Sequence, residues 1–72
     1  MERPLDTLNK AKGTEVLVEL KNGHELTGKL TAFDIHTNLV LENASEKTEK
    51  TSRKMKQVFI RGDMVVHISQ TD

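Results

Sequence analysis

The chain has no cysteine, no tryptophan and no tyrosine. Without cysteine, no disulfide can staple the fold and no thiolate can hold a metal. Phenylalanine occurs only twice, so the aromatic platform on which single-stranded RNA is usually stacked is missing. Charge of one sign is lacking too: eleven Lys and Arg stand against eleven Asp and Glu, for a formal net charge of zero. That balance argues against a binder driven by phosphate attraction alone, and leaves room for one that reads a few bases locally. No apolar run approaches the roughly 20 residues needed to span a membrane. The N-terminus carries no secretion signal. The expectation is a soluble, cytoplasmic protein.

At 72 residues the chain is one small domain, near the size at which a single core only just suffices. Residues 4–12 read as a short helix: Pro4 suits the first helical position, Asp6 lies in the first turn, Lys10 and Lys12 in the last, and Gly13 fits the stop. Leu5, Leu8 and Ala11 form its apolar stripe. Residues 15–20 alternate as a strand, with Val16, Val18 and Leu20 on one face. Asn22-Gly23 then gives a strong hairpin signal. The second strand is expected over 25–34. Leu26, Leu30 and Ala32 share one face there, but Phe33 has the opposite parity, so a bulge or bend near Gly28 or beyond is required. A third strand is expected over 38–44.

Residues 45–54 contain no apolar member and read as a solvated polar loop with extended strand ends. Residues 55–60 and 64–69 complete five strands. These last two carry apolar groups on both faces: Val58 and Ile60 against Phe59, then Met64, Val66 and Ile68 against Val65. A single small sheet has one inner face. The surplus implies a sheet folded over on itself and in contact with neighbouring copies.

Two polar turns interrupt the apolar runs. The first holds Asp34, His36 and Asn38 at alternate positions, and the second is Arg61-Gly62-Asp63. They are expected to meet in space and form one site. Phe33 and Phe59 read as core residues.

These residues carry a resemblance. Val16 through Asn43, with Asn22-Gly23, Gly28, Phe33-Asp34, His36, Asn38 and Leu39-Val40-Leu41, resembles the first motif of the Sm and Sm-like proteins. Ile60-Arg61-Gly62-Asp63 followed by Val65-Val66 resembles the second. The match is nearest to the archaeal Sm-like branch and covers nearly the whole chain. It implies a single Sm-like domain over 1–72, with a helix at 4–12, the first motif at 14–44, the polar loop at 45–54 and the second motif at 55–69. The implied fold is mostly β: an N-terminal helix on a strongly bent five-stranded antiparallel sheet, a small open barrel. Identical subunits would assemble into a ring, usually a homoheptamer, through pairing of the fourth strand with the fifth of the next copy. The resemblance further implies that the two turns face a central pore and bind uridine-rich single-stranded RNA, in RNA processing or metabolism and alongside other RNA-processing proteins.

The chemistry agrees with that implication. His36 and Arg61 offer flat surfaces on which a base can stack. Asn38 both donates and accepts, as the edge of uracil requires. Asp34 is the candidate holder of that amide. The N–H of Gly62 or Asp63 offers a fixed donor to the base, and Asp63 bonds either to ribose or within its own turn. Repetition around a ring would multiply a weak contact. Lys29 and the cations of the polar loop are further candidates, for phosphate. A ring serving as a scaffold for protein or ribonucleoprotein assembly, with incidental RNA binding, is the rival reading.

Plainer roles also exist. His36 could bond a backbone carbonyl, Asn38 could form an Asx turn, and Arg61 could pair with an acid. Arg61-Gly62-Asp63 spells an adhesion tripeptide and Asn43-Ala44-Ser45 a glycosylation acceptor, but neither fits a chain without a secretion signal. His24, His36 and His67 lack metal-ligand spacing. His24 reads as a solvated hairpin residue and His67 as an outward strand residue. No catalytic constellation, and so no enzyme, is indicated, and no cofactor is called for.

Overall fold

The structure is a computed structural model that describes residues 3–71. Helix α1 (Pro4–Ala11) begins with proline at its first turn, and the Asp6 carboxylate accepts from the Arg3 backbone N–H at 3.2 Å. It closes where Thr14 Oγ1 donates to the Ala11 carbonyl at 2.6 Å. The end falls one residue before the expected one, with Gly13 beyond it at φ +88. Ala11 is buried and Leu8 packs on the core, while Leu5 stays 40% exposed.

Five antiparallel strands follow: β1 (Glu15–Leu20), β2 (Glu25–Phe33), β3 (Leu39–Lys47), β4 (Ser52–Ile60) and β5 (Val65–Gln70). They pair in the order β4-β3-β2-β1-β5. The β1–β2 hairpin turns at Asn22-Gly23, where Gly23 takes φ +86 and Asn22 Oδ1 accepts from the His24 N–H at 3.0 Å. The core gathers Val16, Val18, Leu26, Leu30, Leu39, Leu41, Ala44 and Ile60, with Ala11 from the helix.

Three irregularities decide which side chains reach that core. Asn43 and Ala44 together lie opposite Gly28, because Thr27 pairs Ser45 while Lys29 pairs Glu42. Asn43 adopts φ +50, and the extra residue lets both Leu41 and Ala44 point inward despite opposite parity. Gly28 is required here: a Cβ on it would stand 3.1 Å from both Cα and Cβ of Ala44. On β2, Thr31 is the extra residue between the Leu30–Leu41 and Ala32–Val40 pairs. Ala32 is therefore exposed rather than sharing the face of Leu30, and Phe33 turns toward the core. On β5, Val66 is the extra residue, since Glu19 pairs His67 while Leu20 pairs Val65. Val65 and Ile68 pack on the core and Val66 is 54% exposed, which corrects the expected grouping of Val66 with Ile68.

The polar stretch is mostly strand, not loop. Lys47 pairs with Ser52, so only residues 48–51 form the turn, tied by Thr48 N–H to the Thr51 carbonyl at 2.9 Å. Ladder hydrogen bonds and side-chain ion pairs suffice to order this ribbon without an apolar face. Phe59, expected in the core, is 73% exposed. It lies on β4, which with β5 forms the two open margins of the sheet. The exposed Phe59 and Val66 thus sit on the two strands whose outer edges pair with no strand among the described residues.

Candidate nucleic-acid interface

The two polar turns do meet. Strand β2 ends at Phe33, and the Thr37 N–H returns to the Asp34 carbonyl at 3.0 Å. The Asp34 N–H donates to the Asn38 carbonyl at 3.2 Å, which closes the loop just ahead of β3. Closure forces Thr37 to φ +62, an unusual conformation for a β-branched residue. The second turn is a single 3-10 turn (Gly62–Met64), in which the Met64 N–H reaches the Arg61 carbonyl at 3.0 Å.

Asp34 organises the first turn. Its Oδ1 accepts from the backbone N–H of His36 at 2.9 Å and of Asn38 at 3.1 Å, and its Oδ2 accepts from Asn38 Nδ2 at 3.0 Å. The Asn38 amide, with the two backbone donors behind it, holds the Asp34 carboxyl below its ordinary range. Asn38 then crosses to the second turn, where its Oδ1 accepts from the Gly62 N–H at 2.7 Å. A flipped amide would set NH2 against an N–H donor and oxygen against a carboxylate. The polarity of the amide is therefore fixed by its neighbours.

Gly62 has a steric reason as well. A Cβ there would overlap the His36 carbonyl oxygen and stand 2.9 Å from the Thr37 carbonyl carbon. The close approach at Gly62 is to the His36–Thr37 backbone. Its N–H, expected to be a donor toward a base, is spent on Asn38.

Arg61 Nη2 donates to Asp63 Oδ2 at 3.1 Å, with the two side chains 82% and 63% exposed. Asp63 thus bonds within its own turn and orients the guanidinium. His36 is exposed at the tip of the first turn. Ile35, which was not singled out in the sequence, is 75% exposed beside it. Asp34, Asn38, Gly62 and the backbone of His36 form one connected unit, with Arg61 and Asp63 as an ion pair on the same turn.

At the other end of the sheet a second polar cluster appears. Glu46 Oε2 meets His24 Nδ1 at 2.9 Å, and its Oε1 accepts from Arg53 Nε at 2.9 Å. His24, then Arg53, hold the Glu46 carboxyl below its ordinary range. His24 is therefore a half-buried anchor between the two hairpins rather than a solvated turn residue. The cross-strand match of Glu46 with Arg53 follows only from the register, so the residue order alone could not reveal it. His67 faces outward beside Glu19, at 3.4 Å.

An antiparallel sheet under one short helix, with a held carboxamide where two turns touch, defines a small β module whose two polar turns are locked together. The LSM domain family matches residues 6–70, and the chain belongs to that family. An Sm-like protein from Methanosarcina barkeri is 52% identical over 68 residues, covering 93% of this chain and 94% of the relative. Among solved structures, the Pyrococcus abyssi Sm protein in complex with a uridine heptamer superposes with a TM-score of 0.90 at 41% identity, covering 97% of this chain and 100% of that one. The SmAP1 heptamer of P. aerophilum gives a TM-score of 0.92 at 36% identity, covering 100% of this chain and 97% of that one.

Proposed function

We propose that this chain is a non-enzymatic RNA-binding protein. It forms a homo-oligomeric ring and holds uridine-rich single-stranded RNA at the inner edge of the pore. The observation that carries the reading is the fixed Asn38 amide. One of its two N–H donors goes to Asp34 and one of its two acceptor lone pairs to Gly62. One donor and one acceptor are left, with a polarity that cannot reverse. Uracil presents a carbonyl acceptor beside an N–H donor and completes both. Cytosine stacked in the same orientation presents a donor beside an acceptor and opposes both. His36 and Arg61 supply the flat surfaces, each stacked base contributing about 1–3 kcal/mol. A neutral chain obtains affinity by repeating this pocket around the ring.

The ring reading is supported by the open margins of β4 and β5 and by the heptameric assembly of a relative. A scaffold for protein assembly would need those margins equally, but has no use for an amide of fixed polarity. Fluorescence anisotropy with heptauridine and heptacytidine at physiological salt decides the matter. Clear preference for heptauridine is expected, and equal or absent binding would overturn the reading.

A further inference from the structure

The neutral total hides a strong separation of charge. Residues 47–56 hold Lys47, Lys50, Arg53, Lys54 and Lys56 against Glu49 alone, a net +4, so the remainder of the chain carries −4. Arg53 is committed to Glu46. Lys47 lies opposite Glu25 in the ladder and is partly offset. Lys54 and Lys56 are exposed, and no described residue forms an ion pair with either.

The register places those two together. Ser45 pairs Lys54, and Asn43 falls opposite Lys56 between the Glu42–Gln57 and Ala44–Met55 pairs. Beyond the Asn43 bend, Ala44 and Glu46 face inward with Met55 and Arg53, so Asn43, Ser45, Lys54 and Lys56 share the outer face. A hollow opens there, lined by these four with Ala44 and Met55. Its polar groups are two ammonium donors, a hydroxyl and a carboxamide, a set suited to phosphate oxygens. Strand β4 carries them directly to the pore site, since it ends at Ile60 and is followed by Arg61. At about 3.3 Å per residue, Lys56 lies about 17 Å and Lys54 about 23 Å along the chain from Arg61.

We infer that the outer face of the β3–β4 hairpin, at Lys54 and Lys56 over the Asn43 bend, is a phosphate-binding track for the RNA backbone beyond the pore. It deepens the proposed function and rests on that reading for its ligand. The pore selects uridine. The track holds phosphates without regard to base, so its contribution depends on salt where the locked amide's does not. The same lysines could serve only to keep an exposed edge strand from aggregating, in which case they would leave the salt dependence of RNA binding unmoved.

Oligocytidine, which the pore rejects, isolates the track. Its binding to the assembled ring is measured by anisotropy over a series of low salt concentrations. Measurable affinity that falls as salt rises is expected. In K54Q/K56Q the slope of log affinity against log salt should shrink by about 1.4 for each subunit engaged, from about 0.7 per phosphate released. K12Q/K21Q removes the same charge elsewhere and should leave most of the slope in place. Failure of oligocytidine to bind at low salt, or equal slopes in both variants, overturns the track. Tighter binding of polyglutamate than of oligocytidine at matched charge also overturns it and assigns the face to an acidic protein. Heptauridine at physiological salt, on the unsubstituted chain, reads the pore separately, so failure of the track and failure of the pore reading are distinguishable.

Discussion

Gly62 donates its backbone N–H to Asn38 Oδ1 over 2.7 Å, and this one bond ties together two turns 24 residues apart. It fixes which way the amide faces, and it requires the chain at position 62 to pass against the carbonyl of His36. Steric and polar demands therefore converge on the same residue. Neither is a demand for positive φ, the usual reason for glycine in a turn.

Gly62→Ala should separate the turns. The methyl group has no room against the His36–Thr37 backbone, so the loops must shift and the hydrogen bond must lengthen. A cost of about 1–3 kcal/mol is expected from overpacking of this kind. Thermal denaturation at fixed protein concentration should show a lower midpoint, and heptauridine affinity should fall at least tenfold.

Asn38→Asp keeps the shape and removes the donor. It also sets a second carboxylate where Nδ2 now stands 3.0 Å from Asp34 Oδ2. Like charges this close force one of the pair to hold its proton to higher pH. At neutral pH the variant should lose uridine affinity by about tenfold or more. Part of that loss should return as pH falls from 7 to 5, because a shared proton restores one donor between the two side chains. Anisotropy across that range checks both halves of the expectation.

The unsubstituted chain should respond to acid in the opposite sense. The Asn38 amide, then the two backbone N–H groups, lower the folded-state Asp34 carboxyl from its ordinary value of 3.8. A depressed folded pKa gives stabilisation that is complete above the unfolded value and lost as pH falls through the folded one. The contribution of Asp34 to uridine binding should thus be flat from pH 7 to 5 and collapse only below about 3.8. In Asp34→Asn, the group opposite Asn38 can no longer accept from three donors as a carboxylate does, and uridine affinity should fall at every pH.

Much of this architecture was legible in residue order, and the misassigned faces of Ala32 and Val66 share one cause. The Asn22-Gly23 hairpin, the Gly13 stop and the two polar turns are local signals, and each lies where expected to within one residue. Alternation, by contrast, assumes an unbroken ladder. The bulge that the parity of Phe33 requires near Gly28 or beyond is there, opposite Gly28 at Asn43 and again at Thr31, but no side chain fixes its exact place, and nothing announces the extra residue at Val66. Phe59 is a different case: alternation sets it opposite Val58 and Ile60, the ladder there is unbroken, and only its aromatic side chain suggested the core. The meeting of the turns could be expected from their composition, but not that Gly62 would spend its N–H on Asn38. That choice depends on a contact between backbones, which residue types do not encode. The strain at Thr37 was hidden for a related reason, since threonine is a poor marker of a left-handed conformation.

Phe59 and Val66 give the assembly its own test. Phe59 lies on one sheet margin at 73% exposure and Val66 on the other at 54%. Paired edge to edge, such strands bury both side chains. Phe59→Asp places a charge at that seam and removes the largest exposed apolar group on β4. Native mass spectrometry at micromolar concentration should show rings for the unsubstituted chain and mostly single subunits for the variant. Rings of unchanged size in the variant would move the subunit contact away from this edge.

Thr37 offers the reverse outcome, a substitution that stabilises. Its φ of +62 burdens a β-branched side chain, and a strained residue of this kind costs about 1–3 kcal/mol. Asparagine tolerates the left-handed region far better. Thr37→Asn should therefore recover about 1 kcal/mol, raising the thermal midpoint by about 4–8 °C for a domain of this size. The hydrogen bonds that orient Asn38 come from Asp34 and Gly62, not from the Thr37 side chain, so the preference for heptauridine over heptacytidine should persist. A midpoint that stays level or drops would show that the threonine side chain contributes contacts worth as much as the strain. Lost discrimination at a raised midpoint would make the strained turn itself part of base recognition.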